Sequence, residues 1–228
     1  VSTPKEKREQ LVRRDGQPVI GIVSRSACDI ALCGVRRAHA ADALVITQSG
    51  TKQIARRLGR VLAAHGLKLA TAESCTGGLV AQMVTSVPGS SKYFLGGVVV
   101  YANSAKMRLL GVSCALLNRK GAVSSDVAER MAEGARRMFC ADIGVGVTGI
   151  AGPGGGTCRK PVGLVYIAWR GPGRRAMTVR GKFAGGRTSI RKSAANVALA
   201  GVIQLAESMT PKRKWSRRSA GSQHTFCG

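Results

Sequence analysis

The sequence predicts an α/β protein, a three-layer α/β/α sandwich around a mixed sheet. Two features carry this expectation. Short apolar runs rich in β-branched residues mingle, from residue 54 to 208, with stretches whose apolar positions recur at helical spacing. Glycine and proline punctuate the chain between them, and Gly171-Pro172-Gly173 separates two strand-like runs as a hairpin would.

Taken in order, Ile54 to Ala64 reads as a helix with Ile54, Leu58, Val61 and Leu62 on one face. It ends near His65-Gly66, where glycine suits a C-cap. Leu67 to Ala72 reads as a strand. Gly78 to Ser86 reads as a helix stopped by Val87-Pro88-Gly89. Tyr93 to Tyr101 is a second strand, and Ser104 to Leu110 a short helix stopped at Gly111. Ser124 to Cys140 has the clearest helical period, with Val127, Met131, Ala135 and Met138 in step and Ser124 or Ser125 as cap. Ile143 to Val147 reads as a buried strand, Gly149 to Gly156 as a glycine loop, Gly163 to Trp169 and Met177 to Phe183 as strands, and Thr188 to Ser208 as the closing helix. The domain therefore spans 51–208. Residues 1–50 lack a clear period, and 209–228 form a basic, apolar-poor tail expected to be disordered.

Composition narrows the class. The chain has 228 residues, 44% of them hydrophobic, enough for one packed domain with tails. It contains no apolar run long enough to cross a membrane, and VSTPKEKREQLVRRDG carries no apolar segment of the signal-peptide kind, so a cytoplasmic location and no membrane partner are expected. The seven cysteines show neither a CxxC pair nor a Cys/His pair at zinc spacing. They are read as reduced thiols, several of them in the core, and no metal is expected. Net charge is +25. Such a surface attracts nucleic acid or steers phosphorylated substrates, whereas a GC-rich coding bias would also raise arginine everywhere. The excess is spread through pairs such as Arg56-Arg57, Arg136-Arg137 and Arg174-Arg175 and forms no single stripe in the sequence.

Three constellations could carry chemistry. In Glu73-Ser74-Cys75-Thr76-Gly77-Gly78 a strand runs into a helix. Ser74 there is either a nucleophile whose oxyanion meets free backbone N–H groups, or an ordinary helix cap. Cys75 is a second candidate nucleophile, although no histidine lies nearby to activate it. In Tyr101-Ala102-Asn103-Ser104-Ala105-Lys106, Lys106 is either a desolvated base or a solvated surface lysine. The histidines argue for the lysine: His39 and His224 lie outside the domain, and His65 precedes the strand that leads to Ser74, so it belongs at the opposite end. Serine–lysine pairs are a known alternative to a triad. In Thr148 to Gly156 the glycines form either an anion nest or a plain surface loop; GxxxxGK[ST] is absent.

Together, TAESCTGG (71–78), VPGSSKYFLGGVVVYANSAKMRLLGV (87–112), GAVSSDVAERMAEGA (121–135), GVTGIAGPGGG (146–156) and KPVGLVYIAW (160–169) resemble the family of the CinA C-terminal domain, the nicotinamide-mononucleotide amidases. The resemblance implies that family's α/β fold, a homodimer, and hydrolysis of nicotinamide mononucleotide to nicotinate mononucleotide and ammonia without a cofactor. It implies Ser74 as nucleophile, Lys106 as base with Tyr101 beside it, and Glu73, Cys75, Thr76, Gly77, Asn103, Thr148, Gly149, Gly152 and Arg187 around the nucleotide substrate. The chain departs from the pattern at Gly186, where a family GDR segment has aspartate, and at the more basic insert Thr157-Cys158-Arg159. A nucleic-acid-associated or catalytically decayed protein on the same fold is the alternative expectation.

Overall fold

The computed structural model describes residues 48–210, Arg174 excepted. The elements follow as α1 (Gln48–His65), β1 (Leu69–Glu73), α2 (Leu79–Thr85), β2 (Phe94–Val99), α3 (Asn103–Leu110), α4 (Cys114–Lys120), α5 (Ser125–Met138), β3 (Ile143–Gly149), β4 (Leu164–Arg170), β5 (Met177–Lys182) and α6 (Arg187–Glu207). The expectations for the N-terminal extension up to residue 47, and for the tail from 211, lie outside the described residues.

The five strands form one mixed sheet in the order β2-β1-β3-β4-β5. β1 runs parallel to both β2 and β3, while β4 pairs antiparallel with β3 and β5 antiparallel with β4. The expected hairpin across Gly171-Pro172-Gly173 is the β4–β5 connection. Apolar side chains of α1, α2 and α6 gather with one face of the sheet, and those of α3, α4 and α5 with the other, which completes the three layers.

Two close approaches set the layers. Gly144 and Gly146 of β3 face α5, and a Cβ on either would collide with the carbonyl oxygens of Ala132 or Ala128. The alternation of glycine and β-branched residues in IGVGVTG therefore lets the helix backbone lie directly on the strand. α5 answers with small residues, since Ala128, Ala132 and Ala135 are fully buried. On the other face Gly201 of α6 makes room for the Trp169 ring, whose indole N–H donates to Ala198 O at 2.8 Å. These contacts matter for function because the N-termini of α5 and α6 both end beside the same cleft.

Several local expectations need correction. α1 begins at Gln48, before Ile54. α4 has no counterpart in the sequence reading: Ser113 caps it by accepting from Leu116 N at 3.2 Å, and Gly121 ends it. Ser124 occupies the cap position of α5, yet its hydroxyl donates to Gly121 O, so no side chain caps that helix. Met138 is exposed, one turn beyond where α5 leaves the sheet. Of the described cysteines only Cys75 is buried; Cys114, Cys140 and Cys158 are exposed, because polar loops and helix ends carry them. No helix of the described residues is long and apolar enough to cross a membrane.

Gly146→Ala tests the β3–α5 contact. The added methyl forces the helix off the strand and should cost about 1–3 kcal/mol, read as a fall in thermal midpoint of about 2–4 °C per kcal/mol for a chain of this size. An unchanged midpoint would show that the layer spacing is soft.

Candidate active site

Nine of the twelve residues expected around a site line one cleft of about 270 Å³: Ser74, Cys75, Tyr101, Asn103, Lys106, Thr148, Gly149, Gly152 and Arg187. Topology places it. The chain leaves β1 for α2 on one face of the sheet and leaves β2 for α3 on the other, so a crevice opens between the carboxyl ends of two adjacent parallel strands. Ser74 and Cys75 form one lip. Tyr101, Asn103 and Lys106 form the other, and the glycine loop after β3 closes the third side.

Glu73, Thr76 and Gly77 stand outside that lining. The buried Glu73 carboxylate accepts from Val80 N at 3.0 Å and from Ala81 N at 2.8 Å, so it caps α2. Gly78, at the cap position, offers no side chain. This settles the local alternative for Ser74, whose hydroxyl does not cap α2. Its backbone is fixed instead, with Ser74 N donating to Val147 O at 2.9 Å and Ser74 O accepting from Gly77 N at 3.1 Å. Gly77 and Gly78 both take positive φ (59° and 90°), which lets the chain turn tightly enough to leave Ser74 at the cleft. Among these residues the amides of Cys75 and Thr76 carry no backbone acceptor.

Lys106 heads the fully buried side chains of the described residues by size, at 1% exposure. Its ammonium donates to Tyr101 O at 2.9 Å, and among the described residues no carboxylate pairs with it. Burial without a counter-ion disfavours the charged form, so desolvation lowers its pKa below the ordinary lysine value. The solvated-lysine alternative is thereby excluded. Ser74 and Lys106 line the same cleft but share no hydrogen bond in this state. Cys75 behaves in the opposite sense: burial pushes its thiol up to about 12, far from the range of a reactive thiolate.

Thr148 is buried at the end of β3, where its hydroxyl donates to Ala122 O at 2.8 Å and ties the α4–α5 loop to the cleft wall. Arg187, the first residue of α6, donates to Gly152 O at 2.8 Å and to the Tyr101 hydroxyl at 3.1 Å. It therefore links the glycine loop to the opposite lip without help from residue 186. Gly186 is the N-cap of α6, with open space where a Cβ would stand, so the missing aspartate is an absent helix cap in this chain. His65 sits at the far end of β1 with its Nδ1 against Val61 O.

The sequence reading missed the wall residues Ala122 and Val123, and it missed Arg191 behind the turn. Arg191 Nε and Nη2 both donate to Thr76 O, at 3.1 and 2.7 Å. Its position one helical turn after Arg187 was the available signal, since i and i+4 share a helix face. A second cleft of similar size near α4 and α5 is lined by Ser113, Arg119, Asp126, Glu129 and others. Two of its polar groups are engaged locally, Glu129 accepting from Thr178 and Ser113 capping α4.

A family model described as the CinA C-terminal domain matches residues 51–206. A CinA-like protein of Geobacter sulfurreducens is 52% identical over 156 residues, covering 68% of this chain and 37% of the relative. A putative competence-damage inducible protein of Moorella thermoacetica is 61% identical over 109 residues, covering 48% and 26%. The chain thus spans well under half the length of these curated relatives. Among solved structures, a competence/damage inducible protein of Agrobacterium tumefaciens superposes with a TM-score of 0.67 at 42% identity, covering 68% of this chain and 94% of that one. A CinA superfamily protein of Escherichia coli gives 0.64 at 37% identity, covering 70% and 95%.

Lys106→Met tests the buried amine. It removes an uncompensated charge while keeping the volume, and should stabilise the fold by on the order of 1 kcal/mol at neutral pH. Because the folded-state pKa is lowered, the unfolded chain binds more protons between that pKa and 10.5. Wild-type stability therefore rises with pH across that window, and the advantage of the variant vanishes above it. A pH-independent difference would place the effect in packing instead.

Proposed function

The chain belongs to the CinA C-terminal domain family, and from the contents of its cleft we propose that it is an amidohydrolase converting nicotinamide mononucleotide to nicotinate mononucleotide and ammonia. The observation that carries this reading is a buried, unpaired lysine amine facing the same cleft as a serine that caps nothing. Neutral Lys106 takes the Ser74 proton as Oγ attacks the carboxamide carbon. Tyr101 O accepts a hydrogen bond from the amine in either protonation state and so orients its lone pair. The Ser74–Lys106 contact tightens when substrate enters, as such contacts commonly do. The amides of Cys75 and Thr76 receive the oxyanion. Collapse breaks the C–N bond, and the proton on Lys106 leaves with ammonia. Lys106 then deprotonates a water that splits the acyl-enzyme, and the proton returns to Ser74 Oγ.

Charge favours an anionic substrate. Lys106 and Arg187 line the cleft and no carboxylate does. Arg187 uses two N–H groups on Gly152 and Tyr101, which leaves the rest of its fork for a phosphate, and Asn103 and the glycine-loop amides complete that end.

A second reading rests on α1. Lys52, Arg56 and Arg60 are exposed at successive four-residue steps, so they form one row on the outer layer. The sequence alone suggested no stripe; folding makes one. No carboxylate pairs with these three among the described residues. A row of cations without exposed large apolar neighbours suits a nucleic-acid backbone better than a lipid surface.

Ammonia release from nicotinamide mononucleotide decides the first reading. Ser74→Ala and Lys106→Ala should each lower it by about a thousandfold or more, and Cys75→Ala should retain it. In the wild type kcat/KM should rise with pH through a midpoint below 10.5, as Lys106 becomes neutral. Full activity in either of the first two variants would end the serine–lysine assignment. For the second reading, duplex affinity should fall with a log–log salt slope of about −3, lost when Lys52, Arg56 and Arg60 become alanine. A slope near zero would leave the row as a solvated helix face.

A further inference from the structure

Arg191 lies behind the Ser74 turn and outside the lining of the cleft, yet it is aimed at the turn's backbone. Thr76 O receives three hydrogen bonds: Leu79 N at 3.3 Å, Arg191 Nε at 3.1 Å and Arg191 Nη2 at 2.7 Å. The same peptide unit is held at its other end, because Gly77 N donates to Ser74 O at 3.1 Å. The Thr76–Gly77 peptide is therefore clamped on both sides, and the clamp passes directly to the Ser74 carbonyl. Gly77 is matched to this contact. It has positive φ, and a Cβ there would come within 3.3 Å of Arg191 Nη2.

The arginine is also oddly partnered for a half-buried cation. No carboxylate pairs with it among the described residues, and its two hydrogen bonds at the turn go to one carbonyl. A structural tie between α6 and the turn needs no charge. A charge left without a carboxylate partner behind a turn whose Cys75 and Thr76 amides have no backbone acceptor adds positive potential to the side of the cleft where negative charge would develop during acyl transfer.

We propose that Arg191 is a positioning residue for the nucleophile turn: through the Thr76 carbonyl it fixes the orientation of Ser74 and of the Cys75 and Thr76 amides, and its charge favours the oxyanion formed there. This rests on the amidase reading above and adds a residue that does not touch substrate. Geometry gives the expected split. Arg187 and the glycine loop remain to bind substrate, so loss of Arg191 should act on turnover more than on binding.

The test compares wild type, Arg191→Lys and Arg191→Met by ammonia release and by the rate at which a fluorophosphonate labels Ser74. Arg191→Met should lower kcat by about ten- to a hundredfold, with KM within about twofold of wild type. Arg191→Lys, which keeps the charge and one donor, should recover part of the loss and also guards against a methionine variant that does not fold. The labelling rate should fall in parallel. Variants with wild-type kcat and labelling rate would overturn the proposal, as would a loss confined to KM. A wild type that labels at Ser74 but releases no ammonia would refute the amidase reading alone, and the labelling rates would still decide the role of Arg191.

Discussion

An amine is buried here with one carbonyl as its hydrogen-bonding partner, and much of the site is arranged around that fact. Lys106 could lower its cost by pairing with a carboxylate, as buried cations usually do. Glu73, the residue before Ser74, is held away by two amides of α2. Each group thus settles a local problem in a way that leaves the amine without a counter-ion. A helix needs its first N–H groups satisfied, and the carboxylate that satisfies them is removed from the cleft. The cleft is left basic, with its amine buried, a setting in which a neutral amine is accessible and an anion is attracted.

The scaffold makes this arrangement rigid at small expense in sequence. Two glycines of β3 bring α5 onto the sheet, and Thr148 at the end of the same strand fastens the loop that precedes α5. One glycine of α6 seats that helix against Trp169, and the N-terminal turns of α6 then deliver Arg187 to the mouth of the cleft and Arg191 to the back of the nucleophile turn. Backbone positions fixed by close packing transmit little slack, so polar side chains four residues apart on one helix can serve two different ends of one site. A cap missing at Gly186 costs the helix only a few tenths of a kcal/mol relative to a side-chain cap, which is consistent with a site whose arginines are held by carbonyls.

The sheet and its long helices were legible because their periods are strong: Val127, Met131 and Ala135 are buried in α5 as their spacing requires, and the strand runs fall within two or three residues of their observed bounds. α4 was not legible. Seven residues carry too little period to separate a helix from a loop, and its cap, Ser113, looks like any serine in a connecting loop. At the site, the order and type of residues pointed to Ser74, Lys106, Tyr101, Asn103, Thr148 and Arg187, all of which the fold brings to one cleft. Glu73 could not be read correctly, because a carboxylate that reaches forward to cap the next helix has the same sequence signature as one that faces a ligand.

The α/β class, the strand-to-helix turn at Glu73 to Gly78, and the candidate nucleophile and base follow from the chain alone, because propensity, period and residue type are local properties. Tertiary structure alone decided which alternatives were realised. Solvent access separates a surface lysine from Lys106 as found, and access depends on the layers packed around α3. The partner of an arginine 115 residues away from Thr76 depends on how α6 crosses the sheet. The row on α1 is likewise a product of folding, since three cations separated along the chain become one surface only when the helix forms.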